Sequence, residues 1–455
     1  MKNGQDAEVI KVENRVEAFL KAFSVKNILR HCNITKRHGA SPFDILLKIT
    51  QLPFAHQSFY HDLIAAGHKG LCKDTIYALL NSPYYNWRRF LLTLCTTIIS
   101  KFFMSLTSER REKVLIVDFT IYARARSKCT ELLSRVYDYV LDRYLNGFRL
   151  LTLGWSDGSS FLPTDFALMA SSKLENRING INEKIHKNTN GYKRRTEALK
   201  KATENVVDMV ARAFQFGVTA DYILMDSWFC FPVLIESLKN LRRSLHVICM
   251  LKDLPTIRYQ HRGRSLRLEE LYNVVPKHRG RAIVKASVIV KIASGLRVRV
   301  IFIKHRHKQD WLAILSTNLN IDDDEIIRIY GKRWDIEVFF KVVKSYLHLA
   351  KEIQAKSYDA LIAHTTIVFT RYLLLTCQHR QAIDERTLDG IFRACVQELK
   401  DLTLAEAINR LIAFVIERLR EQWQHGEELL EEIIDALMSA AVALFLKGEL
   451  MKTES

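Results

Sequence analysis

Proline occurs seven times in 455 residues and never after Pro276. Proline fixes φ and lacks the N–H that a helix needs, so its scarcity leaves long helices unbroken, and 17 glycines add few other breaks. A propeller or a sandwich, with turns every few residues, is disfavoured on the same ground. Hydrophobic residues at 48% and charged residues at 26% are ordinary globular usage, which argues against wholesale disorder. The length suits roughly three domains of ~150 residues.

Lys plus Arg number 68 against 50 Asp plus Glu, a surplus of +18 that points to a polyanionic partner, nucleic acid first. The surplus is clustered. Residues 252–308 carry 15 Lys and Arg against 3 Asp and Glu, or +12, in runs such as RAIVKASVIVKI and LRVRVIFIKHRH that read as antiparallel strands. A basic face of this kind, interleaved with Tyr259 and Tyr272, suits backbone phosphates. The bland alternative is a solubilising charge. The eight cysteines form no closely spaced pairs, so reduced, mostly buried thiols are expected rather than a zinc module or a disulfide framework. The opening residues lack the apolar run of a signal peptide, and the apolar stretch near Leu361 is interrupted by His364 and Arg371. The expectation is a cytoplasmic protein with no membrane partner.

Residues up to about 105 read as short helices. Asp74 stands as an N-cap before the stripe Ile76, Leu79 and Leu80. Lys73, Thr75 and Tyr77 could open a recognition helix, with Arg88 and Arg89 on phosphates, although a plain amphipathic helix explains the same segment. KVLIVDFT then has the length and apolarity of a buried strand ending at Asp118. GFRLLTLGW and SFLPTDFALMA flank a turn at 156–160 as two further strands. Residues 176–216 read as a solvated excursion leading into a helix, and YILMDSWFCFPVLIESL as a strand, a terminal carboxylate at Asp226 and a helix. From Asp322 to His348 the pattern is one long helix with Glu337 midway.

Alone, each of these carboxylates is ordinary: a strand-end Asp usually caps a turn, and a helical Glu usually faces solvent. In IYGKRWDIEVFFKVVKSYL, however, Tyr330, Arg333, Glu337 and Lys344 recur at three, four and seven residues and share one helical face. A salt-bridged amphipathic helix that includes Lys341 explains the charges but not the aromatics Trp334, Phe339 and Phe340 around them.

Those four residues fill the signature Y-x2-R-x3-E-x6-K without a gap, and on it the chain resembles bacterial insertion-sequence transposases of the DDE type, the IS-four group. The resemblance covers residues 113–375, with Asp118, Asp226 and Glu337 separated by 108 and 111 residues. It implies an α+β chain: a ribonuclease-H-like core in two parts (106–250 and 321–377) and a basic β-strand insertion at 251–320. These would be flanked by an N-terminal helical region that binds DNA ends (1–105) and a C-terminal helical region for dimerisation (378–455).

Carried over residue by residue, Asp118, Asp226 and Glu337 would be the catalytic, metal-binding triad. Converging carboxylates repel unless divalent cations neutralise them, and hard oxygen donors suit two Mg2+ ions, with Mn2+ able to substitute. Trp311 would stack a flipped base during hairpin formation, or else be a core tryptophan in its strand. Tyr330 and Lys344 would contact phosphates, Arg333 would clamp the DNA backbone, and Lys252 is a further phosphate contact. The sequence departs from several relatives after the second Asp, with Ser227 and Trp228.

The implied function is cut-and-paste transposition by a bacterial, nucleoid-associated homodimer. It would act on double-stranded DNA, the terminal inverted repeats and the target, through a hairpin intermediate. Two other classes stand beside it: a transposase-derived repressor that binds without cutting, and a restriction-type metal nuclease suggested by Glu337 and Lys341.

Overall fold

Apolar positions at helical spacing give helices from residue 15 onward in the computed structural model, which describes residues 15–55, 57–65, 71–139, 141–278, 283–304 and 311–380. The expected C-terminal helical region lies, from residue 381, outside the described residues. The chain divides into two units, residues 1–137 with 144–396, and residues 138–143 with 397–455. In the second unit the Leu141 N–H donates to the Asp138 carboxylate at 3.2 Å, closing a turn.

After a helix at 15–22 come α1 (Val25–His31), α2 (Pro42–Gln51), α3 (Lys73–Leu80) and α4 (Trp87–Ile98). Local chemistry sets their starts. The Ser41 hydroxyl accepts from the Asp44 N–H with Pro42 in the first turn of α2, and the Asn86 side chain accepts from the Arg89 N–H at the head of α4. Asp74, expected as a cap, instead sits in the first turn of α3, whose N-cap is Cys72; there its charge faces the positive end of the helix dipole.

The strands join one eleven-stranded mixed sheet: β1 (Val114–Ala123), β2 (Ser134–Asp138), β3 (Arg143–Ser156), β4 (Phe161–Met169), β5 (Tyr222–Met225), β6 (His246–Leu251), β7 (Tyr259–His261), β8 (Arg264–Leu266), β9 (Val284–Lys291), β10 (Arg297–Lys304) and β11 (Trp311–Ser316). Their order is β2-β3-β1-β5-β6-β11-β10-β9-β7-β8, with β4 also on β3. β1 is antiparallel to β3 but parallel to β5, and β5 is parallel to β6. The two strands expected around the 156–160 turn are β3 and β4, antiparallel to one another, while β2 is additional. Gly154 on β3 is required by close approach, since a Cβ there would meet the Phe161 ring at 2.0 Å.

The charged stretch after β4 leads into α5 (Asn190–Ala198) and α6 (Ala202–Gln215), and α7 (Pro232–Leu241) connects β5 to β6. The basic runs form the antiparallel pair β9 and β10, with α8 (Leu268–Val274) preceding them. β11 pairs with both β10 and β6, so the basic strands extend the main sheet rather than forming a detached one.

The long helix expected over 322–348 is two helices, α9 (Asp323–Gly331) and α10 (Trp334–Ser345). Between them the bonding tightens: Lys332 N–H donates to Ile329 O and Arg333 N–H to Tyr330 O, three residues back rather than four. Glu337 therefore lies in the first turn of α10, not midway along a helix.

α11 (Tyr358–His379) is long and apolar enough to cross a membrane, yet 89% of its apolar window is buried inside the protein. The stretch Trp87–Leu106 passes the same test and is 44% buried. The two charged or titratable residues that interrupt α11 find partners inside the protein, although His364 Nδ1 and Arg371 Nε have none among the described residues. Arg371 bonds Leu347 O at 3.1 Å and the Glu352 carboxylate at 2.9 Å, and His364 Nε2 lies 2.6 Å from the other Glu352 oxygen. Phe339 of α10 packs on Phe161 of β4 and on Phe369 and Tyr372 of α11, with ring centroids 4.7 to 5.1 Å apart. This aromatic core fixes α10 against the sheet.

Candidate active site

β1 runs through Asp118 to Ala123 because β3 pairs along its whole length, from Val114↔Ser156 to Ala123↔Gly147. Asp118 is thus not at the strand's end as the sequence suggested. It stands where the parallel partner stops, since β5 pairs only with Val114–Val117 and the last pair is Val117↔Met225. Asp226 follows Met225 directly, so the two aspartates succeed neighbouring parallel positions on adjacent strands, about 5 Å apart in strand spacing. Lys252 follows the next parallel strand, β6. Ala313 pairs with Leu251, which places Trp311 at the same edge one strand further on. Asp118, Asp226, Lys252 and Trp311 therefore mark one edge of four consecutive strands, the carboxyl ends of the parallel set, where open sheets bind ligands.

The tightened turn between α9 and α10 brings in the remaining residues. Lys332 Nζ bonds Glu112 at both its carbonyl (2.8 Å) and carboxylate (3.0 Å), and Arg328 pairs with the same carboxylate at 2.6 Å. Burial pushes the Glu112 carboxyl up, but Lys332 and Arg328 outweigh it and hold it down to about 2. Asp335 accepts from the Ser156 hydroxyl at 2.6 Å. Clamped in this way to the start of β1 and the end of β3, the turn directs Arg333 inward.

Arg333 Nη1 donates to Asp118 Oδ2 at 3.0 Å, and Nη2 donates to Glu337 Oε1. Burial together with the charges of Asp226 and Glu337 pushes the Asp118 carboxyl up to about 7, while Arg333 opposes the rise. Tyr330 is buried, its hydroxyl has no hydrogen-bond partner among the described residues, and the Arg333 guanidinium carbon lies 6.0 Å from its ring centroid. Lys344, seven residues beyond Glu337, donates to the Thr120 hydroxyl at 2.6 Å, two residues beyond Asp118 on β1. The four residues read as one helical face are thus divided between two helices and a turn, and two of them, Arg333 and Lys344, bond to β1.

The wall beside Asp226 escaped the sequence reading, which noted Trp228 only as a departure. Phe229 N–H bonds Asp226 O in a short turn that leaves Trp228 43% exposed. Lys252 Nζ lies over the Trp228 ring at 5.5 Å, and Phe119 meets the rings of Trp228 and Phe229 at 6.1 and 5.6 Å. The only signal was position: an aromatic residue two places after a strand-terminal carboxylate. Trp311 packs against Tyr272 and Phe302, with both ring centroids at 4.9 Å. Cys230 and Cys249 are joined by a disulfide, with Cα atoms 6.0 Å apart, against the expectation of reduced thiols. The turn after Asp226 returns the chain against β6, a proximity that sequence spacing does not reveal.

Asp118 and Asp226 offer hard oxygen donors whose repulsion a divalent cation would relieve, so the donor chemistry fits magnesium or manganese. Among the described residues no three His, Cys, Asp or Glu side chains are placed to hold one metal ion, and Glu337 is turned to Arg333 instead.

Residues 52–252, which include Asp118 and Asp226, match a family model described as DDE superfamily endonuclease. Residues 181–368, which include Asp226 and Glu337, match one described as archaeal putative transposase ISC1217. The chain is therefore similar to DDE-superfamily transposases and endonucleases across its sheet and the helices that follow it. Among solved structures it is similar to a piggyBac transposase synaptic complex with hairpin DNA, at 12% identity and a TM-score of 0.42, covering 94% of this chain and 84% of that one. Comparison with curated proteins gives no match.

Proposed function

We propose that the chain is a cut-and-paste DNA transposase of the IS-four kind with a ribonuclease-H-like core. It would bind the terminal inverted repeats of its element, cleave them through a hairpin intermediate and join them to target DNA. The observation that supports this reading is that Arg333 bridges Asp118 and Glu337, distant in sequence, while Asp226 follows the neighbouring parallel position at the same sheet edge. Two divalent cations, held by Asp118, Asp226 and Glu337, would supply activation of the attacking oxygen and stabilisation of the leaving oxygen in phosphodiester cleavage. The protein's own groups have distinct tasks. Arg333 keeps Asp118 and Glu337 together, Lys344 and Lys252 offer positive charge to phosphates at the two flanks, and Trp228 or Trp311 offers a face on which a displaced base can stack. The active species would be a homodimer acting in the cytoplasm of a bacterium.

The test is incubation of the protein with duplexes carrying the element's termini and Mg2+. Nicked and hairpin products, lost in Asp118→Asn, Asp226→Asn and Glu337→Gln, support the reading; products that persist in all three variants refute it. One observation favours a second reading, a transposase-derived repressor. Arg333 already gives Asp118 and Glu337 a shared cationic partner inside the protein, without a metal. Specific binding to the termini without any nicking would select it.

A further inference from the structure

Arg88 and Arg89, read from the sequence as phosphate contacts, line a cavity of about 470 Å³ together with Lys193, Arg194 and Arg212. These five basic residues come from the first turn of α4, from α5 and from α6, so two helix N-termini open onto one space.

The charges behind this wall are closely shared. Arg88, Arg194 and Arg212 share two carboxylates, Asp165 and Glu197: Arg212 lies 2.7 Å from Asp165 and 3.2 Å from Glu197, Arg194 3.3 Å from Glu197, and Arg88 3.4 Å from Asp165 while also bonding Glu197. A fourth guanidinium, Arg195, pairs with Glu131 at 2.6 Å and with Asp359 of the cavity wall at 2.8 Å, so the buried charges are matched. Arg89 and Lys193 add two more cations at the exposed rim.

Donors are nevertheless left over. Arg194 is 6% exposed and lies over the Phe166 ring at 4.7 Å, yet its Nε and Nη2 make no hydrogen bond among the described residues, nor does Trp87 Nε1. Guanidinium and indole nitrogens only donate, so these groups lack an acceptor. Unmet buried donors are costly. A ligand rich in acceptors would satisfy them, and negative charge on it would meet the two rim cations.

We infer that this cavity between α4, α5 and α6 is a binding site for a phosphate group, built by Arg88, Arg194 and Arg212 and gated by Arg89 and Lys193. The group has two chemical sources, a free phosphoanion or a phosphate of a DNA chain. The site does not depend on the reading of the acidic centre, which presents the opposite charge.

The test is thermal unfolding of the full chain in chelator with rising inorganic phosphate, against sodium chloride at equal ionic strength. A saturable rise in Tm specific to phosphate is expected, with at least about a tenfold weaker apparent Kd in Arg89→Ala/Lys193→Ala, whose exposed positions spare the fold. Arg194→Met should abolish the effect. If that variant does not melt cooperatively, the rim double variant alone decides. A duplex-binding titration separates the sources. Phosphate competition and weakened DNA binding in the rim variant assign a DNA phosphate, whereas unchanged DNA binding with a lost Tm shift assigns a free phosphoanion. No phosphate-specific shift, or an equal shift in the rim double variant, overturns the inference.

Discussion

Arg333 donates to Asp118 across a sequence separation of 215 residues, at 3.0 Å, while its other terminal nitrogen holds Glu337 one helical turn away. One guanidinium thus draws a central strand and a late helix into a single charged centre. Replacing it with Met leaves the poorly hydrated Asp118 carboxylate, and the partly exposed Glu337, without their cation. Arg333→Met should lose about 3 kcal/mol of stability by urea unfolding at neutral pH, the usual result of removing one partner of a buried pair. A loss below about 0.5 kcal/mol would show that the bridge does not organise the centre.

Asp118 should make stability pH-dependent in the metal-free protein. Its carboxyl is pushed up to about 7 in the fold, against about 3.9 in an unfolded chain. Between those values the folded state binds the extra proton, so this residue's contribution to stability falls as pH rises from about 4 to 7 and then levels off. Asp118→Asn removes that slope. Measured in chelator, the variant's stability relative to wild type should rise by on the order of 2–3 kcal/mol from pH 5 to pH 8. A difference that stays flat across this range contradicts the assignment.

Substitution of Asp226 by Asn or Glu337 by Gln should leave the unfolding transition cooperative and reduce strand cleavage by at least about a hundredfold. Gel analysis of nicked termini, paired with a melt of each variant, reads both quantities. Full cleavage by either protein would remove that residue from the chemistry.

Gly154→Ala tests the packing that carries the site. The added Cβ would meet Phe161 at 2.0 Å, and that ring touches Phe339 on the helix bearing Glu337. The expected cost is about 1–3 kcal/mol with a lower Tm. A neutral outcome would mean that the aromatic layer between β4 and α10 can shift freely.

Periodicity in the sequence was enough to identify strands around Asp118 and Asp226, the antiparallel basic strands and a helix bearing Glu337, because residue spacing reports which side chains share a face. It also drew attention to Arg333 and Lys344 before any partner for them was known. The limits of each element were less legible. β1 continues past Asp118 because a distant hairpin pairs along it, and α9 separates from α10 because Glu112 clamps Lys332 and Arg328. Neither cause lies within the local window that sets propensity.

The sequence by itself determined the chemical inventory: three separated carboxylates, a basic strand-rich block and a proline-free stretch after Pro276. Tertiary structure alone decided which of these groups meet. It placed Arg333 between Asp118 and Glu337, set Trp228 beside Asp226, joined Cys230 to Cys249, and gathered five basic residues from three helices around one cavity. The physical reason is range. Local spacing fixes the direction of a side chain relative to its own element, whereas ion pairing and burial depend on contacts between elements far apart in the chain, which packing alone supplies.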